Sequence, residues 1–72
     1  MFKKNKVYKH KNNIDVAFYV TGVLDMHLDG TFVNGRWMRI TPMGKFHDLG
    51  ANDSITVQDK DFDNWAEIGE QE

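Results

Sequence analysis

Between Asp15 and Asp29 the chain sorts its side chains with a period of two. The even positions hold Val16, Phe18, Val20, Gly22, Leu24, Met26 and Leu28, and the odd positions hold Ala17, Tyr19, Thr21, Val23, Asp25, His27 and Asp29. The first half is β-branched and aromatic throughout, and the second half alternates apolar with polar. In extended chain, successive side chains point to opposite faces, so this pattern predicts a strand whose even face turns toward the core. The run is long for one strand. Gly22 at its midpoint predicts a bend or bulge, of the kind that turns a strand at the corner of a small barrel.

The rest of the chain is read the same way. Lys6 to Lys11 predicts a first strand, with Val7 facing away from Tyr8. Asp29-Gly30 and Asn34-Gly35 are both suited to tight turns, and they bracket a short Thr31-Phe32-Val33 segment. Arg36 to Thr41 predicts a strand with Met38 and Ile40 on one side and Trp37, Arg39 and Thr41 on the other, ended by Pro42 and Gly44. Phe46 to Gly50 fits no single element. Asn52-Asp53 marks a turn, and Ser54 to Gln58 a short strand. From Asp61 to Ile68 the pattern becomes helical, with Phe62, Trp65 and Ala66 on one side and Asp61 or Asp63 able to cap. That helical turn would lay Phe62 and Trp65 over an open end of the sheet, with Gly69 ending it.

About five short strands, one of them long and bent, with a short C-terminal helical turn, describe an all-β fold. The predicted architecture is a small SH3-like, partly open barrel, since the chain is short for an OB fold and lacks a central helix. Its 72 residues make one domain, 1–72, with residues 1–5 and 69–72 expected to fray. A chain of this size buries only about 60% of its unfolded surface. It has no cysteine, so no disulfide or thiolate metal site reinforces it. The apolar core carries the fold, helped by an aromatic content of 12%.

The lysines at the start are followed by no apolar stretch of signal-peptide kind, and Val16 to Val20 is too short to cross a bilayer. A cytoplasmic protein without membrane contact is expected.

Net charge is −2, but it is polarised. Residues 1–11 carry five lysines and no acid, whereas residues 53–72 carry seven acids against Lys60. Such ends either pair with each other or serve as footprints for partners.

Three constellations carry candidate chemistry. Asp59, Asp61, Asp63, Glu67 and Glu70 fall at the ligand spacing of a calcium loop. That loop requires glycine where Asn64 stands, a larger apolar residue where Ala66 stands, and a following helix for which no chain remains, so an acidic, solvated tail fits the same residues. Asp25, His27 and Asp29 share one strand face and could meet a metal, or simply face solvent. Lys4, Lys6, Tyr8, Lys9 and Lys11, with Arg36, Trp37 and Arg39, supply cations for phosphates and rings for bases, as small barrels use to hold single strands. Against this stand the acidic overall charge, a possible core role for Trp37, and the prospect that the lysines simply neutralise the acids of residues 59–63 on a neighbouring strand. No phosphate loop or positioned nucleophile is present, so neither catalysis nor a cofactor is expected.

The segments Lys6-Val7-Tyr8-Lys9-His10-Lys11, Asp15-Val16-Ala17 and Trp37-x-Arg39-Ile40 resemble small, uncharacterised proteins of tailed bacteriophages. The resemblance spans about half the chain and contains no functional motif, so it implies context alone: a bacterial cytoplasm during infection and the binding or blocking of a host component. The leading expectation is a non-enzymatic module that binds a protein partner. The alternatives are a nucleic-acid-binding barrel that uses the basic segment, and a homo-oligomer in which one copy's basic head meets the next copy's acidic tail.

Overall fold

The structure, a computed structural model, describes residues 2–26 and 30–70. Five strands form one antiparallel sheet: β1 (Lys6–His10), β2 (Val16–Met26), β3 (Gly30–Ile40), β4 (Phe46–Val57) and β5 (Trp65–Glu70). A 3-10 turn at Asp59–Asn64 joins β4 to β5. The sheet order is β4-β3-β2-β1-β5. The fold is all-β as predicted, but β4 and β5 remain edges and the sheet is not a closed barrel.

Gly22 marks the bend that its position predicts. Val20 pairs with Gly35 and Gly22 with Asn34, which leaves Thr21 as an extra residue in β2. A bulge of this kind switches the face on which later residues lie. Before it, Phe18 and Val20 are fully buried on the main core face. After it, Val23 pairs with the buried Val33 and so takes the core side, while Leu24 moves to the other face and is 60% exposed. The expectation that the even positions all turn inward therefore fails at Leu24, because the bulge intervenes. The inward placement expected of Met26 and Leu28 lies outside the described side chains.

The main core joins Phe2, Tyr8, Phe18, Val20, Val33 and Val57, with Trp37, Ile55, Phe62 and Trp65 packed against it. Burying a side chain such as Phe18 or Val33 contributes about 1.5–3 kcal/mol. The opposite face is not wholly solvated: Val7 and Ala17 are fully buried there and Met38 nearly so, while the Phe46 ring lies over Gly69. Val7 and Tyr8 face opposite ways, as their alternation predicts, yet both are buried.

Several turn readings are corrected. Asn34-Gly35 lies inside β3, which runs unbroken across the expected Thr31–Val33 segment. Gly35 serves close approach there: a Cβ would fall 2.1 Å from the Tyr19 carbonyl oxygen and 2.6 Å from the Phe18 ring. Asn52-Asp53 and the ambiguous Phe46–Gly50 both belong to β4, whose residues pair with β3 on either side of an irregular stretch between Asp48 and Asn52. Gly50, with φ +76, sits in that stretch.

The described residues near both ends pack against the sheet. Phe2 is 4% exposed and meets the rings of Tyr8, Phe62 and Trp65 edge-on, at 4.6, 5.9 and 5.5 Å. Gly69 and Glu70 are the last residues of β5, which replaces the helix expected from Trp65 onward. The helical spacing of the acidic segment is realised only as the 3-10 turn, because β1 offers an open edge that Trp65–Glu70 completes.

Candidate functional site

The chain ends meet on β1 and β5, and that pairing builds the site. His10 pairs with Trp65, and their rings meet edge-on at 5.0 Å and 83°. The Asn12 backbone N–H donates to His10 Nδ1 at 3.1 Å. An Nδ1 that accepts leaves the neutral ring its other nitrogen as a donor. From the middle of the sheet, β3 contributes Trp37, whose ring packs edge-on against Phe18 at 4.9 Å. The Trp37 indole N–H donates to Asp53 Oδ2 at 3.0 Å, and the Ser54 backbone N–H donates to Asp53 Oδ1 at 2.8 Å. The indole bond, followed by the backbone bond, holds the Asp53 carboxyl below its ordinary value.

His10, Trp37 and Trp65 border an open groove of about 280 Å³ together with Ile55, Thr56 and Val57 of β4 and Asp61 of the 3-10 turn. The groove lies where the open sheet leaves β4 apart from the 3-10 turn and β5. Among the described residues, its lining combines aromatic and aliphatic surface with one carboxylate and includes no lysine or arginine. Beyond it in the register, Ile55 pairs with the fully buried Val33, and Val33 with Val23, which is 40% exposed. Small concave sites of this make-up favour binding through burial, with a few polar groups setting orientation.

The residues singled out in the sequence are dispersed. Of the proposed cation and aromatic set only Trp37 lines the groove, and of the calcium spacing only Asp61 does. Tyr8 is 4% exposed, and its hydroxyl accepts the Lys3 backbone N–H at 2.7 Å. Burial pushes this phenol above its ordinary value, so Tyr8 offers core packing and no exposed ring for stacking. Lys6 lies between two acids, 2.7 Å from Glu70 and 3.9 Å from Glu67. The hydrogen bond to Glu70 raises Lys6 above its ordinary value and holds Glu70 below its own. The expected neutralisation of the basic head thus falls to β5 at this lysine, and not to residues 59–63. Arg36 is paired with Asp48 at 2.7 Å. Lys4, Lys11 and Arg39 are exposed and Lys9 is half-buried, without an ion pair among the described residues. Arg36 and Arg39 occupy opposite faces of β3, three residues apart on an alternating strand.

The calcium spacing does not become a calcium loop. Asp59, Asp61 and Asp63 lie on the 3-10 turn, whereas Glu67 and Glu70 lie on a strand beside Lys6. No three His, Asp or Glu side chains are grouped to hold a metal ion among the described residues. The Asp25, His27 and Asp29 constellation lies outside the described side chains. Sequence reasoning left Ile55, Thr56 and Val57 out of the site, weighed Asp61 only as a metal ligand, and placed Trp65 only as a lid. The usable signal was the density of aromatic residues in the paired chain ends.

No family model, characterised protein or solved structure matches the chain. No helix among the described residues is long and apolar enough to cross a membrane.

Proposed function

We propose that this chain is a non-enzymatic protein-binding module. Its five strands and the 3-10 turn before the last of them suit an SH3-like, half-open barrel. On this reading it is a phage accessory protein of the host bacterial cytoplasm that binds or blocks a host protein. The observation that carries the reading is the groove itself: two tryptophans and two aliphatic residues of β4 border one open concavity. Tryptophan is enriched among the residues that dominate protein interfaces, and a surface already held by the fold binds with little ordering cost.

The test is capture from bacterial lysate by the immobilised chain, run beside Ile55→Glu, which places a charge on the groove wall. A specific host protein retained by the native chain and lost with Ile55→Glu, at an unchanged circular dichroism spectrum, supports the reading. Equal retention by both, or none by either, contradicts it.

A nucleic-acid role draws support from Lys4, Lys9, Lys11 and Arg39, which have no ion-pair partner among the described residues. The groove does not favour it, because its charged group is a carboxylate that repels phosphate. Heparin retention that vanishes with modest salt, together with quenching of tryptophan fluorescence by an oligonucleotide, would support that reading instead.

A further inference from the structure

We propose that the partner segment held by this groove presents an arginine side chain to it, with the guanidinium set among Trp37, Trp65 and Asp61. This inference rests on the reading of the groove as a protein-binding site and names the chemistry it selects. Three observations carry it. The lining contains two indoles, whose π faces attract cations, and the attraction grows as water is excluded. Among the described residues it contains one carboxylate, Asp61, and no lysine or arginine that would compete for it. Asp61 is also incompletely used by the fold: Oδ1 has only a long contact of 3.5 Å from the Asn64 side-chain amide, and Oδ2 accepts no hydrogen bond among the described residues.

The remaining walls suit the rest of such a side chain. Ile55 and Val57 offer aliphatic surface, which covers a methylene stem while the charged head stays near the rim. Arginine fits better than lysine because a planar guanidinium can stack on an indole and donate to a carboxylate at the same time. A lysine ammonium is compact and strongly hydrated, and gives up more on entering. Phosphate-bearing ligands are disfavoured by the same Asp61. The aliphatic and indole walls of the groove also leave room for an apolar residue that flanks the arginine in an extended segment.

The test selects a randomised peptide library on the folded, immobilised chain and measures the affinity of the enriched peptides by fluorescence. The expected result is enrichment of sequences with one arginine at a constant place beside apolar residues. Replacing that arginine by lysine should weaken binding several-fold, and replacing it by glutamine should weaken it further. Asp61→Asn, a half-buried site on the 3-10 turn, should melt as the native chain does. It should bind the arginine peptide about three- to fivefold more weakly, the scale of a partly exposed ion pair. Enriched peptides without arginine, or an Asp61→Asn variant that binds the arginine peptide as well as the native chain, overturn the arginine inference and leave the protein-binding reading standing. A selection that enriches nothing overturns both.

Discussion

From Val16 to Val20, β2 lies between β1 and β3, and Ala17, Phe18 and Val20 are all shielded from solvent, Ala17 on one face and the other two on the opposite one. From Gly22 onward the same strand pairs with β3 alone, and Val23 and Leu24 are 40% and 60% exposed. The residue types differ little between the halves. What differs is cover: β1 spans only the first half, and the Thr21 bulge re-aims the second. A strand's apolar content therefore does not fix its burial. The neighbours that the topology brings decide it, and in the second half they leave Val23 and Leu24 in part exposed.

The sharpest way to break this contrast is Phe18→Ala. Phe18 fills the core of the covered half, so its loss should cost about 3–5 kcal/mol. In a domain this small that leaves the chain largely unfolded at room temperature, read as the loss of the urea transition. Gly35→Ala acts where the two halves meet. Its Cβ would press on the Tyr19 carbonyl and the Phe18 ring, and the backbone oxygen cannot swing aside as a side chain can. The expected cost is about 2–3 kcal/mol by overpacking, seen as a lower urea midpoint. Leu24→Ala, in the open half, should cost less than about 0.5 kcal/mol, since it removes mostly solvated surface. Equal losses from Phe18→Ala and Leu24→Ala would refute the contrast.

The smallest effect concerns the strands that cover the first half. Glu70 is held below its ordinary value of 4.5 by the hydrogen bond and charge of Lys6. Its contribution is therefore present above that value and lost as pH falls through the lower, folded one. Lys6 is raised above 10.5 by the same bond, so its contribution is present below that value and lost as pH rises through the folded one. Stability from the pair should be flat between these limits. Glu70→Gln should flatten the acid-side decline slightly, measured as the melting temperature against pH, and high salt should shrink the difference.

Much of this was legible in the chain. The period-2 run of β2, its bend at Gly22 and the opposed Val7 and Tyr8 all follow from residue order, because each is a local property of extended backbone. The break at Pro42 and Gly44 and a helical turn near Phe62 were legible for the same reason. What escaped was set by partners distant in sequence. Phe46 to Gly50 fits no single element and Asn52-Asp53 reads as a turn, yet both form strand because β3 provides a template. Gly35 resembles a turn residue but is needed for the ring of Phe18. Trp65 sits at helical spacing from Phe62, and only the free edge of β1 makes it a strand residue. The groove was missed for that reason: its walls come from β1, β3, β4, β5 and the 3-10 turn, and no local window holds more than two or three of them.

The central claim, that the groove between Trp37 and Trp65 is where this chain meets its partner, is tested most directly by the two indole N–H signals in a nuclear magnetic resonance spectrum, recorded as the captured host protein is added. Both should shift or broaden together, along with the amides of Thr56 and Asp61, while the amides of Met43 and Gly44 in the β3–β4 turn stay in place. Indole signals that remain fixed while other amides move would show that the partner binds elsewhere.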